Sequence, residues 1–414
     1  MFSLERWEEI FDTIRKNKLR TFLTGLSVAS GIFILVVLLG IGEGMRTGVA
    51  KQFERDAANE IFVWTGTTSV EFKGLNPGRR IQLKNQDFNE TRRKHKDELE
   101  YKSSVFRIWN AVVNFGKESG AYSVEGVWPD YQFLENSSMV NGRYLNYTDV
   151  EGYEKVAVIG NKVKNDLFKG KNPIGKYLQV SDINFKIIGV FSDPGGEREE
   201  SRVYVPFTTA QRVFGGGDFV SNMSFTLPQE ENFEKALAAS NRFTTQLQQD
   251  LKERHIVAPE DNRAINVNNS LENAKKFYDL MDMIKFFFWG VGICTIIAGI
   301  VGVSNIMLII VKERTREIGV RKALGAEPWS IVWMVLHESI FVTAIAGFLG
   351  LVSSLALLEL VGPMIETEYI SNPTVNFSVA VSTVIILIVA GALAGFFPAW
   401  RAASIKPIVA LRDE

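Results

Sequence analysis

The chain has 414 residues, 46% of them hydrophobic and 22% charged, with a formal net charge of -1 at pH 7. That balance excludes a basic nucleic-acid binder on bulk electrostatics, and a single cysteine, Cys294, excludes an intrachain disulfide framework and a Cys-rich zinc or iron–sulfur site. The three histidines, His95, His255 and His337, are too scattered for a histidine-rich metal centre, whereas the apolar residues gather in a few long blocks.

In residues 1–20, Leu4, Trp7, Ile10, Phe11 and Ile14 recur at three- and four-residue steps opposite Glu5, Glu8, Glu9, Asp12, Arg15 and Lys16. This pattern predicts an amphipathic helix that lies on the inner leaflet or docks on a partner protein. Residues 21–42 carry no charge and are long enough to cross a hydrocarbon core of about 30 Å. The acidic residues before this block, and its length, argue against a cleaved secretory signal. A polar, proline-free stretch at 43–59 continues it, and a matching stretch at 270–285 leads into a second uncharged block at 286–311, bounded by Lys285 and Lys312. These flanks predict two helices extending from the membrane as a stalk. A third span is expected at 331–358, with His337 and Glu338 near one interface or facing other helices, and a fourth at 377–397, ended by Pro398 and Trp400. All four blocks are apolar on every side, unlike the striped helices of a soluble bundle.

Between spans one and two, residues 43–285 form a segment large enough to bury its own core. Strands are predicted at Glu60–Trp64, Ser123–Val127, Lys155–Ile159, Phe185–Phe191 and Arg202–Val205, and helices at Gln86–Lys102, Asn161–Lys169 and Glu230–Arg254. The pattern suggests a β-rich subdomain at about 119–219 inserted into an α/β subdomain built from about 60–118 and 220–270.

Basic residues set the orientation. Arg15, Lys16, Lys18 and Arg20 precede span one, five Lys and Arg residues follow span two, and Arg401 and Lys406 follow span four, whereas the hairpin at 359–376 carries Glu359, Glu366 and Glu368 and no base. The positive-inside rule therefore predicts that both termini, the 312–330 loop and the 398–414 tail are cytoplasmic, and that residues 43–285 lie outside. Within the inner loop, alternating charges around Ile318 and Leu324 predict a short helix stopped by Gly325. Gly40 and Gly44 in span one, and Gly391 and Gly395 in span four, have the small-xxx-small spacing of closely packed membrane helices.

Gly170-Lys-Asn-Pro-Ile-Gly-Lys-Tyr177 approaches the phosphate-binding loop, but it ends in Tyr177 where a magnesium-binding hydroxyl residue is needed, and it follows a predicted helix instead of a strand. It is expected to be a simple turn, leaving this chain without an ATPase site. No nucleophile–base constellation marks an enzyme. A membrane sensor would need a cytoplasmic signalling module, for which the inner segments are short.

The sequence Glu313-Arg-Thr-Arg-Glu-Ile-Gly-Val-Arg-Lys-Ala-Leu-Gly-Ala326, emerging from a span that ends Ser-Asn-Ile-Met-Leu-Ile-Ile-Val, resembles the signature of the MacB/FtsX-type ABC transporter permeases. Val156–Gly160, Leu167-Phe168, Asn172–Lys176 and Phe185–Val190 resemble that family's extracytoplasmic domain, and Pro398–Ala403 with Lys406-Pro407 resembles its C-terminal end. The resemblance implies an α+β membrane protein with four transmembrane helices and a large extracytoplasmic α/β domain, porter-like with an inserted β-rich subdomain. It implies a multi-pass protein of the bacterial inner membrane, paired with a second permease copy as a homodimer or heterodimer. It also implies an ABC ATPase on a separate polypeptide, a periplasmic adaptor and an outer-membrane channel, and mechanotransmission in place of substrate passage. ATP and magnesium would be used by the ATPase, with no cofactor bound directly. Carried over, Glu313, Arg314, Arg316, Glu317, Ile318, Gly319, Arg321, Lys322, Leu324 and Gly325 form the coupling contact. The implied function is efflux or secretion; lipoprotein release and control of cell-wall hydrolases are the alternatives within the family.

Overall fold

A computed structural model describes residues 18–53, 59–230, 232–365, 367, 371, 373–375 and 377–407. Most of the expected amphipathic helix at 1–20, residues 54–58 of the first stalk segment, Glu366 and Glu368 of the hairpin and the last seven residues lie outside the described residues.

In chain order, α1 (Lys18–Phe53) is followed by β1 (Glu60–Thr65), β2 (Leu83–Lys84), α2 (Asn85–Lys94), β3 (Lys102–Ile108), β4 (Val112–Phe115), β5 (Glu118–Ala121) and β6 (Ser123–Val127). Next come α3 (Tyr131–Leu134), β7 (Ser138–Gly142), α4 (Tyr147–Glu151), β8 (Val156–Gly160), α5 (Asn161–Phe168), β9 (Tyr177–Val180), β10 (Ile183–Ser192) and β11 (Arg202–Pro206). Then follow α6 (Phe207–Val213), β12 (Phe219–Val220), β13 (Asn222–Thr226), α7 (Phe233–Arg254) and β14 (Ile265–Asn269). The chain continues as α8 (Ser270–Glu313), α9 (Thr315–Ala323), α10 (Pro328–Val361) and α11 (Phe377–Ala403). Residues 51–277 make one compact unit, and residues up to 50 with those from 278 onward make another.

The first unit is built on one 12-stranded sheet of order β14-β1-β13-β3-β6-β11-β8-β10-β9-β4-β5, with β7 paired to β10. The pairs β8–β10 and β6–β11 are parallel and the other ladders antiparallel, the mark of crossover connections inside an otherwise meandering sheet. Strand β8 is buried along its whole length, which is why Val156-Ala-Val-Ile is continuously apolar with no polar alternation. Strand β3 joins the two halves: Lys102–Val105 pair with β13, and Phe106–Ile108 pair with β6. At Gly189 the β8–β10 register slips, and a Cβ there would stand 2.2 Å from the Arg143 carbonyl oxygen, so only glycine fits. The main core gathers Val63, Phe88, Phe106, Ile187, Phe225 and Phe243; a second, aromatic one contains Tyr131, Tyr144, Phe191 and Tyr204.

Two sequence expectations shift. The helix foreseen at Gln86–Lys102 ends at Lys94, and Lys102 opens β3. His95 leaves the helix to bury its ring edge-on against Phe243, and the Ser103–Phe106 run is buried between two neighbouring strands, so tertiary pairing overrides local helix preference. The β-rich part also begins earlier than 119, because Val113 and Asn114 of β4 pair with Val180 and Gln179 of β9.

The second unit holds four helices long and apolar enough to cross a membrane, in α1, α8, α10 and α11. Their shared core contains Ile32, Leu35, Val303, Met307, Val335, Leu387 and Ala390, while Phe286, Leu360 and Leu393 point outward as large exposed apolar side chains. Such a surface suits lipid, not water. Helix α8 runs unbroken for 44 residues, about 66 Å at 1.5 Å per residue, twice the hydrocarbon thickness.

Candidate coupling site

Helix α9 sits between the second and third spans, and its ends are made by specific residues. Helix α8 stops at Glu313, and Arg314, with φ -94° and ψ 13°, provides a one-residue break before α9 begins. At the other end Gly325 takes φ +96°, its N–H donates to the Lys322 carbonyl and the Ala326 N–H donates to the Arg321 carbonyl. These two bonds define a Schellman stop, which needs a left-handed residue and so glycine. Pro328 then opens α10 at its first turn, where its missing N–H costs nothing.

The helix has two unlike faces. On the inner one, Ile318 is 1% exposed and joins the helical core, and Gly319 is buried beside it. Arg314 Nη1 lies 3.3 Å from Oε2 of the buried Glu338 in α10. Lys322 Nζ donates to the carbonyl oxygens of Ala403, the last residue of α11, and Ile405, two residues beyond it, each at 2.7 Å. Arg321 Nη1 approaches Met334 Sδ at 3.0 Å, and its Nη2 pairs with Glu317 at 2.9 Å. The outer face presents Glu313, Arg316, Glu317, Val320 and Leu324 to solvent, with Leu324 84% exposed. This face thus carries an exposed large apolar side chain together with charges of both signs.

The ten residues singled out from the sequence therefore stand together on one helix and its caps, but in different positions. Glu313, Arg316, Glu317 and Leu324 face solvent, with Glu317 paired to Arg321; Ile318 and Gly319 are packed inside; Arg314, Arg321 and Lys322 are half-buried and bonded within the chain; Gly325 shapes the stop. Sequence reasoning missed the inner partners, Glu338, Met334 and the Ala403 and Ile405 carbonyls. Glu338 carried a signal, since an acid at the head of an apolar span needs a partner; backbone carbonyls carry none.

The four spaced glycines all lie against other parts of this chain. A Cβ on Gly395 would stand 2.6 Å from Ser339 Cβ, one on Gly391 3.0 Å from Ile340 Cα, one on Gly40 2.5 Å from Leu358 Cδ1 and one on Gly44 2.9 Å from Pro373 Cα. Ser339 Oγ also donates to the Gly391 carbonyl at 2.9 Å. The stretch Gly170–Tyr177 is a turn between α5 and β9, with the Gly175 amide donating to Ile187 and the Lys176 amide to Pro173. Among the described residues no group of three or more His, Cys, Asp or Glu could hold a metal ion.

Two families match this architecture in order: residues 21–242 match the MacB-like periplasmic core domain, and residues 289–407 the FtsX-like permease C-terminal region. The chain belongs to this MacB/FtsX-type permease family, with four transmembrane helices and a large extracytoplasmic domain between the first two. It is 27% identical over 419 residues to the macrolide export ATP-binding/permease protein MacB of Bdellovibrio bacteriovorus, covering 99% of this chain and 62% of that protein. It is 28% identical over 415 residues to the protein of the same name in Chlorobium phaeobacteroides, covering 98% and 60%. The chain thus spans about three fifths of the length of these curated relatives. Among solved structures, the periplasmic region of MacB from Actinobacillus actinomycetemcomitans matches at TM-score 0.43 and 21% identity, over 55% of this chain and 95% of that one. The extracellular domain of the ABC-type transporter YknZ from Gram-positive bacteria matches at TM-score 0.41 and 19% identity, over 51% and 100%.

Proposed function

We propose that this chain is the permease part of an ABC transporter, driven by an ATPase that docks on the outer face of α9, and that it exports a substrate by moving its extracytoplasmic domain. The observation that carries this reading is a short, capped helix between spans two and three that keeps an apolar, charge-ringed face open to solvent, in a chain whose relatives are named for ATP binding and export. Glu313, Arg316, Glu317, Val320 and Leu324 receive the ATPase. Helices α1 and α8 continue beyond the apolar spans as stiff levers, and a second permease copy, a periplasmic adaptor and an outer-membrane channel complete the machine. The basic residues after spans two and four support an orientation with α9 and both termini in the cytoplasm, in the inner membrane of a bacterium.

Orientation is tested by single-cysteine labelling in a Cys294→Ser background. Asn76→Cys, in an exposed loop of the sheet-bearing unit, is expected to react with a membrane-impermeant reagent in intact spheroplasts, and Ala323→Cys on α9 only after lysis. Labelling of position 323 in intact spheroplasts would overturn the assignment.

A further inference from the structure

Arg314, Ile318 and Lys322 recur at four-residue steps and so share one face of α9. That face is fixed at three points. Ile318 is inserted in the core of the helical unit; Arg314 meets a carboxylate in span three; Lys322 meets two carbonyls at the end of span four. Each polar contact answers a local need. The carboxylate of Glu338 is buried, where an unpaired charge is strongly unfavourable. The last carbonyls of a helix have no partner within it and form the negative end of its dipole, so an ammonium group is well placed there.

We propose that Arg314 and Lys322 are internal brackets that clamp α9 onto spans three and four, and that they transmit the movement of the docked ATPase without contacting it. The proposal rests on the permease reading above and divides the signature loop by function. Residues of the outer face receive force, and the two bases of the inner face pass it to separate spans. Without the brackets, α9 would be held by the packing of Ile318 and Gly319, by the Arg321–Met334 contact and by its covalent ends, and a push on its outer face would tilt the helix before moving the spans. Rigid transmission requires both attachments.

The test uses the full-length chain in lipid nanodiscs, alone and with whatever ATPase accompanies it from its native membrane. A spin label at Val320→Cys, on the exposed face, reports the mobility of α9 in the chain alone. Mobility is expected to rise in Lys322→Met and in Glu338→Gln, and to return to the wild-type value in Lys322→Arg and in the exchanged pair Arg314→Glu with Glu338→Arg. In the complex, Lys322→Met is expected to keep its ATPase in wild-type amount while the ATP-dependent change in outer-domain hydrogen exchange falls at least about fivefold. Unchanged mobility in Lys322→Met would overturn the bracket. So would loss of the ATPase from a variant that remains monodisperse, because it would make Lys322 a docking contact. Absence of any ATPase from the wild-type chain would instead count against the permease reading, while the mobility comparison still decides the bracket.

Discussion

A proline at position 276 should uncouple the two ends of α8. Lys276 lies in the second turn of that 44-residue helix, with its side chain 68% exposed and its Nζ 2.6 Å from Glu272 Oε1. Proline there removes the N–H bond to the Glu272 carbonyl and sets its ring against that carbonyl, a cost of about 3 kcal/mol or more. The exposed ion pair lost at the same time contributes roughly 0.3–0.5 kcal/mol, so the backbone term decides, and Lys276→Ala isolates the charge effect. The apolar span begins at Phe286, ten residues further on, about 15 Å along the helix, so membrane insertion should survive. Hydrogen exchange along 270–280 reads whether the helix is interrupted, and exchange in the extracytoplasmic domain with and without ATP reads whether movement arrives. Lys276→Pro is expected to keep its ATPase and lose the ATP-dependent change, with Lys276→Ala like wild type. An interrupted helix that still delivers the full response would refute the lever.

Gly350→Val should destabilise the helical unit by about 1–3 kcal/mol, since a Cβ there would stand 2.4 Å from the backbone oxygen of Ala29, whereas Gly290→Ala, with nothing within 4 Å, should be tolerated; thermal unfolding in detergent compares them. Asp87 anchors α2 to the end of α7, accepting from Arg254 Nη1 at 2.9 Å and the Lys84 amide at 2.8 Å, with His255 Nε2 at 3.0 Å. Burial pushes its carboxyl up, but the bonds from His255, Arg254 and the Lys84 backbone outweigh it and hold it below the ordinary carboxylate range. A carboxyl depressed in the folded state stabilises fully above its unfolded value near about 4 and loses that contribution as pH falls through the lower folded value. Asp87→Asn should therefore weaken the sheet-bearing unit at pH 7, toward the low end of the about 3–5 kcal/mol typical of a broken buried pair because Arg254 keeps Glu90. It should also flatten the acid limb of stability, as urea unfolding at pH 3–7 would read.

The spans were legible because lipid imposes a requirement of length and apolarity that each block meets by itself. The α9 helix was legible from its alternating charges and Gly325. Strands such as β3 and β13 were not. Ser103, Ser104, Asn222 and Ser224 are polar yet buried, since they lie within a 12-stranded sheet whose ladders run between residues over a hundred positions apart. The division of α9 into two faces was equally hidden. Arg316 and Lys322 read alike as surface bases, and only the arrival of the Ala403 and Ile405 carbonyls beside Nζ separates them. Gly350 shares that spacing with Ala346 and Ser354 and went unmarked because its partners in the motif are not glycines, yet its contact with Ala29 is closer than those of the four glycines the motif picked out.

The central claim is that an ATPase docks on the exposed face of α9, and the most direct measurement is how much ATPase accompanies the affinity-purified chain from its native membrane. Leu324→Asp replaces the exposed apolar side chain at the C-terminal end of that face without touching the inner contacts. The wild-type chain is expected to bring down an ATP-hydrolysing partner in stoichiometric amount, and Leu324→Asp to lose it by about tenfold or more, as for a docking hot spot. Equal ATPase on both chains, or none on the wild type, would contradict the account.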